Sequence, residues 1–199
     1  YKNVIDPFSV LFEMAGFSTD YQQWILNEKL RQSQKSLSNR LGTFHEEILG
    51  NLNGWLRLND QVDIVSEEQK IIAEIKNKHN TIKGSDRKRY YDSFKELVMP
   101  KNQKYKGYTA YLVEIIPKSP QRYNKPFTPS DASTGTTCAE NELIRVIDGH
   151  SFYALATGIA TALEDLFAVL PEVIHSIKPE FSSFDIGDIN NFFNRAFLG

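Results

Sequence analysis

An α/β domain, a mixed central sheet flanked by helices, is the fold class this sequence predicts, and three observations predict it. Helical patterning fills roughly the first fifty residues. The period then shortens to that of strands, with β-branched residues at Val62, Ile64, Ile71, Ile72 and Ile75. Beyond residue 80, helix-like and strand-like apolar runs alternate, as an α/β sheet requires. The whole chain, 1–199, reads as a single domain with a helical portion over about 1–50 and a core over about 55–170.

Each element has its own signal. Asp6-Pro7 supplies a cap and a first-turn proline for a short helix over 8–15, stopped near Gly16. Ser18 or Thr19 is placed to cap a second helix through residue 30 and on towards 40, with Trp24, Ile25 and Leu30 on its buried side. Gly42 interrupts it, and a further helix over 43–49 ends at Gly50. Leu58, Val62 and Ile64 then mark one strand, residues 66–69 a polar turn, and 71–76 a second strand, together a hairpin. Ser85 or Asp86 caps a helix to about Val98, whose Tyr90, Tyr91, Phe94, Leu97 and Val98 form one apolar face before Pro100. Residues 108–116 read as a buried strand, 117–138 as a long proline-rich loop, and 143–147 as a short strand. A long apolar helix follows from a Ser151 cap to about residue 170, with Pro171 just past its end, and a last short helix covers 190–198.

Composition is ordinary for a globular chain, 41% apolar and 24% charged. The best candidate for a membrane span, 151–170, is interrupted by Glu164 and Asp165, so no membrane association is expected. The lone Cys138 has no partner for a disulfide or a metal cluster and fits a reducing, cytoplasmic setting. Tyr1 is not a methionine, which implies preceding sequence. The net charge is −2, but ten Lys and Arg against three acids crowd residues 76–106, while residues 160–199 carry six acids against two cations. One face can therefore be basic on a near-neutral molecule, as nucleic acid binding wants.

The chemistry concentrates at Asp63, Glu74 and Lys76. Residues two apart on a strand share a face, so Glu74 and Lys76 project together, and a hairpin brings Asp63 beside Glu74. Hard carboxylate oxygens hold Mg²⁺ while leaving water positions open. A neighbouring lysine can orient or deprotonate a water and stabilise developing charge. Phosphodiester hydrolysis needs this set. An acid and a lysine on an otherwise apolar strand also conflict with good packing, a conflict expected at functional sites.

In this spacing the segment resembles the PD-(D/E)xK nuclease core, with Asp63, Glu74 and Lys76 at the motif positions and Val62 where many members have proline. More of the chain resembles type II restriction endonucleases of the SinI and AvaII kind. The segments that carry this likeness are Ile5-Asp6-Pro7-Phe8, 31–39, Phe44-His45-Glu46-Glu47-Ile48-Leu49-Gly50, 73–84 and 148–158. The resemblance implies a Mg²⁺-dependent homodimer that cuts both strands of double-stranded DNA at a short, near-palindromic, G/C-flanked site of the GGWCC or GGNCC kind. It further implies that Asp63, Glu74 and the Ile75 carbonyl hold the metal. A helix acid often joins such a site, and Glu46 is favoured over Glu47. A repair or recombination nuclease with the same core, and a non-catalytic DNA-binding module, are the alternatives.

The donor-rich run after the second strand, Asn77, Lys78, His79, Asn80 and Lys83, is placed to contact DNA, with His79 also open to a general-base role. Arg87, Lys88 and Arg89 crowd the start of the next helix, where cations oppose the helix dipole and a phosphate would relieve them. The long loop carries Lys118, Arg122, Tyr123 and Lys125, for groove contact or as a dimer arm. His150 and Ser151 suggest a hydrolase pair, but no nucleophile elbow surrounds them. The terminal aromatic residues Phe181, Phe184, Phe192, Phe193 and Phe197 pack either a dimer interface or the chain's own core.

Overall fold

The structure is a computed structural model that describes residues 4–131, 133–179 and 186–198. It divides into two compact units, 1–43 and 44–199. The first holds α1 (Pro7–Phe17) and most of α2 (Tyr21–Gly50). As expected, Asp6 caps α1, its Oδ1 accepting from the Phe8 N–H at 2.9 Å. Ser18 closes α1 in the left-handed region at φ 51 instead of opening the next helix. The N-terminal cap of α2 is Asp20, which accepts from the Gln23 N–H at 2.8 Å. Gly42 does not break α2, so the two expected helices are one of 30 residues. A single mid-helix glycine weakens a helix by only about 1 kcal/mol, less than ending and restarting it.

The second unit is built on a six-stranded mixed sheet of order β1-β2-β3-β4-β8-β5. Its strands are β1 (Leu56–Arg57), β2 (Ile64–Ser66), β3 (Ile71–Lys78), β4 (Thr109–Ile116), β5 (Asn124–Pro126) and β8 (Ile144–Asp148). A separate two-stranded piece, β6 (Ser130–Asp131) with β7 (Thr136–Thr137), gives the expected long loop some order. The β2–β3 hairpin is antiparallel, and β3–β4 and β4–β8 are parallel. Strands covered on both faces read as near-continuous apolar runs, and β3 and β4 do.

Alternation splits those runs between two cores. Ile71, Ala73, Ile75, Val113 and Ile115 pack with Leu49 of α2 and with Phe152 of α4 (Gly149–Thr157). Ile72, Ala110, Leu112 and Val146 pack with Phe94, Leu97 and Val98 of α3 (Gly84–Val98). The sheet is thus sandwiched between helices, the layered α/β arrangement expected.

Three other boundaries differ from expectation. Lys83 occupies the cap position of α3, so the helix starts ahead of both Ser85 and Asp86. Asp148, not Ser151, caps α4, accepting from the Ser151 N–H at 2.9 Å. Asp commonly caps from the position three residues before the amide it satisfies. The long apolar helix is broken at Gly158, left-handed at φ 73, and resumes as α5 (Ala162–Ile177) after a 96° bend, with Pro171 inside it. Among the described residues no single helix is long and apolar enough to cross a membrane. The last helix, α6 (Ile186–Phe197), buries Phe193 and Phe197 in the core with Leu163 and leaves Phe192 exposed; Phe181 and Phe184 lie outside the described residues.

Candidate active site

The hairpin ladder ends before β3 does, and the site forms where it ends. The last paired residue of β2 is Ile64, opposite Ala73. Asp63 continues the ladder by one bond, its N–H donating to the Ala73 carbonyl at 3.0 Å. From there its side chain takes over: Oδ2 accepts from the Ile75 N–H at 2.6 Å. The N–H and C=O of one strand residue leave on the same edge. The Ile75 carbonyl therefore points to the edge that Asp63 occupies.

Glu74 and Lys76, one residue to either side of Ile75, project to the opposite face from Ile75, towards α3. Lys76 Nζ donates to Glu74 Oε1 at 2.6 Å, with both side chains largely covered. The ammonium also stands 5.4 Å from the centre of the Tyr90 ring of α3, a cation–π contact. Glu46, near the end of α2, binds Arg57 at 3.0 Å and is 16% exposed, against 59% for Glu47. It is close enough to Asp63 and Lys76 for their charges to act on it. Of the two helix acids, Glu46 is the one turned to the site.

The electrostatics are those of crowded acids short of a counter-charge. Burial pushes the Glu74 carboxyl above its usual range, and the neighbouring Asp63 charge pushes it further. Burial does the same to Asp63, opposed by the Ile75 amide and by Lys76. Glu46 is raised by burial and then by Asp63, against the pull of Arg57. Burial alone would lower Lys76, but the charge and hydrogen bond of Glu74 outweigh it and hold the ammonium up. Lys76 and Arg57 are two cations for three mutually repelling carboxylates, Arg57 being shared with Glu47, and hard oxygens short of positive charge are what a divalent cation fits. Among the described residues no three His, Cys, Asp or Glu side chains are gathered into a ready-made metal cluster.

The other sequence-chosen residues fall into distinct settings. Lys78, Asn80 and Lys83 are exposed around the end of β3, while Asn77 and His79 are half-buried. Alternation puts Lys78 on the face of Lys76, and Asn77 with His79 on the other. The His79 N–H extends the ladder to the Ile116 carbonyl, and its Nδ1 is enclosed without a partner. Arg87 is paired with Glu114 at 2.7 Å, and Lys88 with Asp92 at 2.6 Å. Arg122 lies against His150 and Glu164. These three cations already have protein partners.

Sequence reasoning missed Glu114 and Asp148, 6% and 1% exposed at the ends of β4 and β8. Their signal was present: an acid inside an apolar strand, the same inconsistency that marked Glu74.

Two acids and a lysine at the open end of a strand pair, in a mixed sheet sandwiched by helices, define a protein with a restriction-endonuclease-like core. Comparison with known proteins agrees. The family model described as Eco47II restriction endonuclease matches residues 1–178, and the chain belongs to that family of type II restriction enzymes. It is 49% identical over 181 residues to the type II restriction enzyme Eco47II of Escherichia coli, an alignment covering 90% of this chain and 75% of that one. It is 28% identical over 176 residues to the type II restriction enzyme Sau96I of Staphylococcus aureus, covering 86% and 66%. No solved structure matches the chain.

Proposed function

We propose that this chain is a divalent-cation-dependent site-specific endonuclease that hydrolyses double-stranded DNA, with Asp63, Glu74 and Lys76 as its catalytic residues. The observation that carries the reading is the junction at the end of the hairpin, where the Asp63 carboxylate replaces a ladder partner on Ile75 while Glu74 and Lys76 stand paired beside it. Asp63, Glu74 and the Ile75 carbonyl would hold Mg²⁺, with Glu46 joining directly or through water. When bound, the cation polarises the phosphoryl oxygen and acidifies a water. Lys76 orients the attacking water and offsets charge developing on the phosphate. The Tyr90 ring and Glu74 keep the ammonium in place and charged. Asn77 and Lys78 at the end of β3, and Asn80 and Lys83 beyond it, would contact DNA.

Each chain carries one such set, and duplex cleavage needs two. A twofold homodimer on a near-palindromic site supplies both, since palindromic sites mirror protein symmetry. A G/C-flanked site of the GGWCC or GGNCC kind belongs to the same reading.

The test is incubation with a mixed-sequence plasmid and Mg²⁺ or Mn²⁺, followed by sequencing of fragment ends. Discrete ends at one short motif, lost in Lys76→Ala, are expected. Smeared or structure-dependent ends would favour a repair nuclease, and absence of both cutting and DNA binding would defeat the reading.

A further inference from the structure

Lys76, Glu114 and Asp148 are register partners in one row across β3, β4 and β8. Two of the three are carboxylates removed from water, where a charge needs several partners. Both take the same partner. Glu114 accepts from the Tyr123 hydroxyl at 2.5 Å. Asp148 accepts from the Tyr123 N–H at 2.7 Å, and its own N–H donates back to the Tyr123 carbonyl at 3.2 Å. Tyr123 is thus clasped at backbone and side chain immediately ahead of β5. Glu114 also holds Arg87 of α3, whose guanidinium lies 5.3 Å from the centre of the Phe127 ring.

The bridge Arg87–Glu114–Tyr123 therefore ties the start of α3 to the segment that runs through β5. Between those two walls lies a groove of about 860 Å³, lined on one side by Gly84, Arg87 and Lys88 and on the other by Lys125, Phe127 and Ser130. Lys88 is shared between Asp92 and Asp131. Among the described residues no carboxylate pairs with Lys125, which lies 5.6 Å from the Tyr123 ring, so it is the cation more readily given to a phosphate. Glu114 stands one strand over from Lys76, about 5 Å in a sheet. The piece that joins the groove's walls is thereby fixed to the strand that carries the lysine.

We propose that Glu114 and Tyr123 are positioning residues: their bridge holds the groove at a set offset from Lys76, and the groove takes one sugar–phosphate backbone of the DNA duplex, which meets Lys125. This rests on the nuclease reading and goes beyond it. It assigns the groove to substrate and makes the offset the quantity that aligns the scissile phosphate. A misplacement of about 1 Å at a reacting centre can slow a reaction about 100-fold without loosening binding. Loss of the bridge and loss of the groove cation thus have opposite kinetic signatures.

The experiment compares wild type, Tyr123→Phe and Lys125→Ala on a plasmid with divalent cation. Tyr123→Phe removes one hydroxyl and keeps every groove cation. It is expected to lower kcat at least about tenfold with KM changed less than about threefold. Lys125→Ala is expected to raise KM about tenfold with the smaller effect on kcat. If Tyr123→Phe fails to fold, Arg87→Lys takes its place, since it keeps a charge on Glu114 but loosens the tie. A folded Tyr123→Phe with wild-type kcat and KM, or one that loses only thermal stability, overturns the proposal. A wild-type protein that does not cut DNA at all overturns the nuclease reading itself, and the two failures are told apart by that first lane.

Discussion

Replacing Glu74 by glutamine separates a catalytic carboxylate from a structural one. In the folded protein burial and the Asp63 charge disfavour ionised Glu74, and Lys76 only partly compensates. The amide removes that charge at nearly constant volume. What it forfeits is the charge of a largely covered ion pair with Lys76; the amide oxygen can still accept from the ammonium, and Asp63 and the Tyr90 ring stay beside it, so the loss is about 2 kcal/mol. Relief from burial and from Asp63 acts the other way. Without added metal the two changes nearly cancel, and Tm should move by less than about 4 °C for a chain of this size. Activity should behave differently. Losing one of the two carboxylates proposed to hold the cation would forfeit several kcal/mol of transition-state charge stabilisation. About 4 kcal/mol corresponds to about a 10³-fold loss of cleavage. Metal linkage supplies a third readout: a cation that binds only the folded state at about 100 times its Kd stabilises by about 2.7 kcal/mol. Adding Mg²⁺ should therefore raise the Tm of wild type and leave that of Glu74→Gln where it was. A thermal melt with and without Mg²⁺, beside a plasmid cleavage time course, checks all three. A variant that cuts within tenfold of wild type, or one that collapses in metal-free buffer, would refute the reasoning. The first outcome removes Glu74 from the metal; the second makes its pair with Lys76 structural.

Three further outcomes follow from other parts of the molecule. Gly149→Ala would set a methyl 2.4 Å from the Ile115 carbonyl oxygen and 2.6 Å from its Cα, both backbone, so α4 must lift off β4. A loss of about 3 kcal/mol or more is expected by chemical denaturation, and a neutral result would mean that this packing is not as close as described. His45 is held neutral by burial, its pKa drawn down to about 4, with Nδ1 2.8 Å from the Tyr153 hydroxyl. The folded pKa lies below the unfolded 6.5, so the unfolded chain binds more protons in between. The stability contributed is complete above pH 6.5 and is lost as pH falls towards 4, up to about 3 kcal/mol. His45→Gln should flatten this slope, and equal slopes in the two proteins would sink the assignment. With Ca²⁺ in place of Mg²⁺, DNA binding without cutting should weaken steeply with salt as phosphate contacts release counterions; a gel-shift titration indifferent to salt would count against the basic surface.

The strand pair that carries Asp63, Glu74 and Lys76 was legible because its signals are local. Period-two alternation, a polar turn at 66–69 and polar residues in an apolar run survive any tertiary context. The helix boundaries were less legible because each depended on a choice among neighbours. Gly42 looked like a stop, but a single mid-helix glycine costs only about 1 kcal/mol, so the helix runs through it. Ser151 and Asp148 are both good caps, and only the chain's exit from β8 decides for Asp148, which also serves Tyr123. Gly158 was itself the trace of its left-handed turn and was passed over because apolar residues resume at Ile159. Pro171 looked like a terminator, yet Leu166 and Phe167 before it pack on the core and the helix continues beyond it. Glu114 was open to the same reasoning as Glu74 and was not reached by it, because its partners, Arg87 and Tyr123, are 27 and 9 residues away.

The shape of the sheet explains why the acids gather where they do. β2 contributes only Ile64–Ser66 to the ladder, whereas β3 runs on to Lys78. Beyond Ala73 the β2 side of β3 therefore offers backbone groups with no strand to receive them, and burial makes an unreceived amide expensive. Asp63 meets the Ile75 amide with a carboxylate, which carries a full charge into a half-buried position beside Glu74. An asparagine there would satisfy the same amide through its carbonyl oxygen and would not repel Glu74. On stability alone the neutral residue is the better choice. Lys76 and Arg57 offset part of that cost, and a cation at the Ile75 edge would offset the rest. The edge geometry and the remaining charge both favour the proposed cation there, and Asp63→Asn tests the point. It should keep or raise metal-free stability and remove the stabilisation by Mg²⁺ together with cleavage. An Asp63→Asn protein that still gains stability from Mg²⁺ would place the cation elsewhere.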